Sequence, residues 1–287
     1  MITDPDYYIG LPQWHHPAWY GGLLAGRDQR GALAGYARSF NSVEGNTTFY
    51  GLPSVEAVQR WKREVDESFR FCFKFPREIS HELGLHHCDA QMQAFLQRLA
   101  PLEGRLGVLW LQLPATFAPA QLPLLAEFLL RLPAGFSYAV EVRHPAFFDR
   151  GEADRRLSEL LAMHGVNRVA FDTRALFRDP ADDPLTREAL AAKPRLPLRP
   201  VATAGAPMVR LIAPLQIEAA DDLLSHWVTR VLKWIDEGRR PWLFFHTPDC
   251  AAAPELAARF AAKLKAMRAV RGFEPWPAPL AAQPGLF

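Results

Sequence analysis

Two hydrophobic periods take turns along this 287-residue chain. Apolar runs with strand character recur near 7–14 (YYIGLPQW), 42–50 (SVEGNTTFY), 69–75 (FRFCFKF), 107–114 (GVLWLQLP), 137–144 (SYAVEVRH), 167–174 (NRVAFDTR), 206–213 (APMVRLIA) and 241–248 (PWLFFHTP). Between them the pattern shifts to the helical period. Ser54 caps a helix through about Lys62 that carries Val55, Val58 and Trp61 on one side. Leu157, Leu160, Leu161 and His164 form a second stripe, stopped at Gly165. A longer stripe runs from Leu223 to Ile235 and ends at Gly238, and a further helix is predicted over 253–268.

Eight strand–helix alternations predict one α/β domain over residues 1–271, a parallel (β/α)₈ TIM-type barrel. The runner-up, an open doubly wound sheet, finds no G-x-G-x-x-G turn to support it. Residues 175–205 are a long Pro-rich loop between strands six and seven, of a kind that is either functional or mobile. Residues 272–287 are a Pro-rich C-terminal tail.

Each strand also has a polar phase. In a barrel the outward phase packs under helices, while the inward phase fills the centre and lines the site at the C-terminal mouth. Glu44 and Asn46 oppose Val43; Lys74 opposes Phe71, Phe73 and Phe75; Gln112 opposes Leu109, Leu111 and Leu113. Glu141 and Arg143 oppose Val140 and Val142, Asp172 opposes Val169 and Phe171, Arg210 opposes Val209 and Leu211, and His246 opposes Leu243 and Phe245. The expected ring therefore holds three carboxylates (Glu44, Glu141, Asp172) and three cations (Lys74, Arg143, Arg210). A set of mutually neutralising structural ion pairs is the competing explanation, but so many buried charges point to a task.

Composition narrows the classes little further. With 49% hydrophobic and 22% charged residues the chain reads as globular, and its net charge of +2 is too weak to argue for nucleic acid. The N-terminus shows no signal peptide and no apolar run is long enough for a bilayer, so the expected compartment is the cytoplasm. Cys72, Cys88 and Cys250 form no C-x-x-C pair, which argues against disulfides or a cysteine zinc site.

The motifs VEGNTTFYGLP, FCFKFPREISH, GVLWLQLPATF and AVEVRHPAFF, in this order, resemble the YecE-like family (domain of unknown function 72). The resemblance runs from about Tyr7 to about Met267 and implies a TIM-type barrel without implying a reaction. The family pattern carries over at Glu44, Asn46, Thr48, Phe49, Tyr50, Lys74, His81, Gln112, Glu141, Arg143, His144, Asp172 and Arg210. It departs at LPQWHHPAWY after the first strand, at Leu211-Ile212-Ala213 where the family shows His-Gly, and at His246-Thr247 where it tends to carry Asn-Asn. The chain thus resembles a divergent branch.

Three chemistries compete for such a ring. Glu44, Glu141 and Asp172 serve as acid–base groups if neighbouring cations keep one ionised while a drier one stays protonated. Lys74 is the candidate Schiff-base nucleophile, although a lysine among three carboxylates is expected to have a raised pKa. Arg143 and Arg210 suit a phosphate or carboxylate gripped in a bidentate way. An anionic small molecule is the favoured ligand, with Asn46, Tyr50, Gln112, His144, His246, Trp14 and His81 completing the binding set. No cofactor is expected, and a divalent metal stays among the alternatives despite the absence of H-x-H or H-E-x-x-H spacing. The tail raises a reading of another class. Gln283, Leu286 and Phe287 in QPGLF resemble the Q-x-x-L-F peptide that docks on the bacterial sliding clamp, which would make the chain a non-catalytic or DNA-associated barrel.

Overall fold

The computed structural model describes residues 4–178 and 180–276. Its eight strands are β1 (Tyr8–Gly10), β2 (Ser42–Gly45), β3 (Arg70–Lys74), β4 (Leu106–Gln112), β5 (Ser137–Glu141), β6 (Asn167–Asp172), β7 (Met208–Ile212) and β8 (Trp242–His246). All pair in parallel in the order β1-β8-β7-β6-β5-β4-β3-β2, which wraps them into the predicted (β/α)₈ barrel. The helices are α1 (Ala32–Tyr36), α2 (Val55–Glu64), α3 (Asp89–Leu99), α4 (Leu122–Arg131), α5 (Glu152–Met163), α6 (Arg174–Arg178), α7 (Pro184–Ala192), α8 (Asp221–Asp236) and α9 (Ala253–Met267). Ser54 caps α2 as expected, its Oγ accepting from Ala57 N at 3.1 Å. Among the described residues no helix is long and apolar enough to cross a membrane.

The strands are shorter than their apolar runs suggest. β2 stops at Gly45 because Asn46 turns the chain into the tight turn Thr47–Phe49. Thr48 ties that turn to the end of β3, its hydroxyl donating to Lys74 O at 2.6 Å.

Two layers of packing follow. Tyr8, Cys72, Val108, Trp110, Ala139, Val169, Met208, Trp242 and Phe244 fill the barrel interior. The opposite strand faces pack under the helices in a much larger apolar layer. Cys72 sits in the interior one step deeper than Lys74, as a core residue.

Barrel closure rests on the β1–β2 seam, where one ladder bond, Glu44 N to Leu11 O at 2.9 Å, is joined by side chains. The Tyr36 hydroxyl donates to Ser42 O at 2.7 Å and accepts from Leu11 N at 2.8 Å. Asn41 does the same one step earlier, accepting from Ile9 N at 2.8 Å and donating to Tyr7 O at 3.0 Å. The seam is tight enough that a Cβ on Gly10 would lie 2.2 Å from Ser42 O, so only glycine fits.

Strand six departs from expectation. Val169 and Phe171 face inward, in register with Met208 and Arg210, so Asp172 faces outward beside Leu211. The outer phase also carries Arg168, fully buried and paired to Asp154 of α5. Residues 175–205 are less irregular than predicted, since most of α6 and all of α7 lie within them. At the far end, Phe273 and Trp276 pack on Phe40, and Glu274 N donates to Ser39 O at 3.1 Å, so the start of the Pro-rich tail lies against the barrel. Gln283, Leu286 and Phe287 lie outside the described residues.

Tyr36→Phe removes a hydroxyl that satisfies two buried backbone groups at once. It is expected to destabilise the chain by about 2 kcal/mol in urea unfolding, within the range for buried polar groups left unpaired.

Candidate functional site

The C-terminal ends of β2, β5 and β7 meet on one guanidinium. Arg210 donates from Nε to Glu44 Oε2 at 2.9 Å and from Nη2 to Glu44 Oε1 at 2.7 Å, while Nη1 reaches Glu141 Oε2 at 2.8 Å. Arg143 Nε takes the remaining Glu141 oxygen at 2.9 Å. Asn46 Nδ2 donates to Glu44 Oε1 at 2.7 Å and His246 Nε2 lies 3.1 Å from Glu44 Oε2. All four carboxylate oxygens are therefore engaged. The planar fork of Arg210 lies over the rings of Trp110 and Phe171, at 4.6 and 5.2 Å from their centroids.

These contacts decide the protonation states. Burial by itself would raise the pKa of Glu44, but Arg210 and then His246 outweigh it and hold the carboxyl well below the usual range. Glu141 is likewise lowered, burial being outweighed by Arg210, Arg143 and Lys74. Both carboxylates are ionised at neutral pH, contrary to the expectation that one stays protonated. An ionised Glu44 only accepts, so His246 Nε2 carries the hydrogen toward it and Nδ1 carries the lone pair, with no hydrogen-bond donor on it among the described residues. Burial lowers the pKa of His246 more than Glu44 raises it, which keeps the ring neutral.

Lys74 overturns its expectation too. Among the described residues its Nζ touches no carboxylate; it donates to Gln112 Oε1 at 2.8 Å, the same oxygen that Arg143 Nη2 reaches at 3.0 Å. The Phe49 ring covers it, 3.5 Å from Nζ to centroid. Burial and the nearby Arg210 lower its pKa to about 7, with Glu141 offsetting only part of that. Counting charges along the strands fails here because the carboxylates are already engaged by the guanidinium groups.

Above this floor opens a cavity of about 460 Å³, lined by Asn46, Phe49, Tyr50, Lys74, Gln112, Arg143, Arg210, His246 and Thr247 and, on one side, by Leu185, Glu188, Ala189, Ala192 and Lys193. The α7 segment thus forms a wall of the mouth without plugging it. Lys193 is a site residue that strand periodicity misses. Its signal in the sequence is the Asp183-Pro184 helix start followed by Leu185, Ala189 and Ala192 on one face, and in the structure Asp183 Oδ1 accepts from Thr186 N at 2.8 Å. Another cavity, of about 500 Å³, lies at the opposite end near Trp242 and Gly107, but no buried charged residue lines it.

Four predicted site residues lie elsewhere. Asp172 is buried on the outer face, where Oδ1 accepts from Arg174 N and Nε at 3.1 and 2.9 Å, and Oδ2 from Arg174 Nη2 and Trp227 Nε1 at 2.9 and 2.8 Å. Trp14 packs edge-on against Trp61 and Phe71 in the outer apolar layer. His144 caps the turn Pro145–Phe147, its Nδ1 accepting from Ala146 N at 3.2 Å. His81 sits behind Phe49, 2.8 Å from Ser80 Oγ, where burial and then the charges of Lys74, Arg77 and Arg143 lower its pKa to about 4. Tyr50 does line the cavity, at its rim, with 83% of its surface exposed. No three His, Cys, Asp or Glu side chains among the described residues converge as metal ligands.

The model of the family described as "Protein of unknown function DUF72" matches residues 8–280. The chain belongs to the DUF72 family. It is 46% identical over 249 residues to the UPF0759 protein YecE of Escherichia coli K12, covering 87% of this chain and 89% of that one. Solved DUF72 structures share the fold. One from Thermotoga maritima MSB8 has a TM-score of 0.67 at 23% identity, covering 90% of this chain and 99% of its own. One from Enterococcus faecalis V583 has 0.67 at 19% identity, covering 93% and 98%. The DUF72 match thus accounts for the barrel and leaves the reaction open.

Two outcomes follow. Asp172→Asn is expected to cost about 1–3 kcal/mol, since it removes a buried ionic acceptor, as measured by urea unfolding. For Lys74, the unfolded chain holds the proton up to the ordinary lysine value of 10.5 and the folded chain only to about 7. The Lys74 contribution to folding stability should therefore rise with pH between those values. Lys74→Met should lose that rise and gain relative to wild type below pH 7, read from urea midpoints across about pH 6–10.

Proposed function

We propose that this DUF72 barrel is an enzyme that holds a small phosphate- or carboxylate-bearing substrate in its C-terminal mouth and moves protons on it. The supporting observation is the charge balance left once Asp172 is outside. Glu44 and Glu141, with Glu188 at the exposed rim, face Lys74, Arg143, Lys193 and Arg210, and Arg210 satisfies oxygens of both buried carboxylates. The residual positive charge is concentrated on Arg143 and Lys193, which border the open cavity, while Lys74 carries only part of a charge at neutral pH. Barrel mouths of this kind suit anions.

The nitrogen bases at the mouth are His246 and Lys74, of which Lys74 titrates near neutral pH. Glu44 fixes His246 through Nε2, as a carboxylate orients an imidazole base, so Nδ1 is the acceptor. Lys74, near half protonation at neutral pH, is suited to donate and to accept. Glu44 and Glu141, the acid–base candidates of the sequence, act here as ionised supports.

Calorimetric titration with inorganic phosphate and with malonate at pH 7 tests the anion site. Millimolar or tighter binding is expected, with Arg143→Gln weakening it by about tenfold, the worth of one charge-assisted hydrogen bond. No binding of either anion by the wild type would remove this reading. Proton transfer is tested by proton NMR of a panel of 2-oxo acids and sugar phosphates in D₂O. At least one should exchange its carbon-bound hydrogen, and His246→Gln should slow that exchange by about 10²-fold or more, the usual contribution of a general base.

A further inference from the structure

Lys74 is built as an amine rather than as a counter-ion. Its Nζ is buried at the floor of the cavity against a neutral oxygen and two aromatic rings, in the field of the Arg210 and Arg143 guanidinium groups. Gln112 Oε1 accepts from Lys74 and from Arg143 together, so two cations would converge on one uncharged atom if the lysine were protonated. The carboxylates that would relieve this are held by Arg210, Arg143, Asn46 and His246. Phe49 and Trp110, whose ring centroids lie 3.5 and 5.0 Å from Nζ, oppose the trend, since a ring face favours an ammonium, but burial and the neighbouring arginines prevail. A surface lysine with a pKa near 10.4 presents roughly one free amine in 2,500 at pH 7. At Lys74 about half the side chains are free amines.

We propose that Lys74 is a covalent nucleophile that forms a Schiff base with an aldehyde or ketone carrying a carboxylate or phosphate. The inference rests on the anion-site reading for its substrate class and names the bond that forms. The Nζ lone pair attacks the carbonyl carbon, the carbonyl π pair moves to oxygen, and that oxygen takes up protons and departs as water. The net change is amine plus carbonyl plus one proton giving iminium plus water, with no oxidant or reductant. The iminium withdraws electrons from the adjacent carbon, so a C–H or C–C bond there breaks heterolytically. His246 Nδ1 is the base available to receive the proton. The substrate's anionic group pairs with Arg143 or Lys193 on the cavity wall.

Reductive trapping tests this. The full chain is incubated at pH 7 with glyoxylate and cyanoborohydride, and the rate of carboxymethylation at each lysine is read by peptide mass spectrometry. Lys74 is expected to be modified at least tenfold faster than Lys233 and Lys265, and Lys74→Arg should lose that fast label while its surface lysines react as before. Modification of Lys74 no faster than those two overturns the nucleophile. Propionaldehyde, an uncharged aldehyde, separates the two ideas. Fast labelling by glyoxylate that exceeds propionaldehyde and is suppressed by phosphate supports both the amine and the anion site. Equal labelling by both aldehydes, unaffected by phosphate, keeps the nucleophile and overturns the anionic substrate class. Phosphate binding by calorimetry without fast labelling at Lys74 keeps the anion site and overturns the Schiff base.

Discussion

Arg210 is the constraint on which the site depends. Its guanidinium is aimed by β7 at the centre of the barrel, where β2 and β5 deliver Glu44 and Glu141. Three buried ionic groups of this kind are costly to desolvate, and the cost is recovered only when every oxygen and donor is matched. The matching is met through Asn46, His246 and Arg143 at the outer edges of the two carboxylates. Removing one carboxylate would leave a buried guanidinium half satisfied, whereas Trp110 and Phe171 supply ring faces that tolerate its flat charge.

From that network the rest of the mouth acquires its character. Arg210 engages both carboxylates and Arg143 takes the last Glu141 oxygen, so neither carboxylate pairs with Lys74, and the Arg143 charge adds to the field on the lysine. Glu44 in turn fixes which nitrogen of His246 bears the hydrogen. A neutral imidazole and a lysine of pKa about 7 thus follow from burial in the mouth, which the two engaged carboxylates offset only in part.

Much of this is legible in the sequence, and the failures have physical causes. The barrel and the inward phases of β3, β4, β5, β7 and β8 are readable because an apolar outer phase alternates with the other, as Phe71, Phe73 and Phe75 do around Lys74. β6 defeats the same reading because both of its phases hold polar groups. Arg168 and Asp172 lie outward, where Asp154 and the indole of Trp227 satisfy them, while Asn167 turns inward, donating to Tyr138 O and accepting from Ala206 N. Alternation says nothing about such partners, which come from α5 and α8. The lowered pKa of Lys74 escapes a one-dimensional tally of charges, which treats every carboxylate in the ring as available. Trp14 and His144 lie past the ends of β1 and β5, where alternation no longer assigns a face, and their local roles, packing and capping, suffice to explain them.

The two readings of the mouth, an anion site and a nucleophilic amine, reinforce each other electrostatically. The burial and the positive field that lower the pKa of Lys74 would also oppose an iminium, which restores a positive charge to the same nitrogen. An anionic substrate changes that balance when it arrives. Its negative group offsets Arg143 and Lys193, the charges that border the cavity, so the field opposing the iminium is weakest when a substrate of the right class is bound. An uncharged carbonyl compound brings no such compensation. Selectivity for anionic carbonyl compounds would then arise at the bond-forming step as well as at binding, with Arg210 held out of both by the carboxylates it bridges.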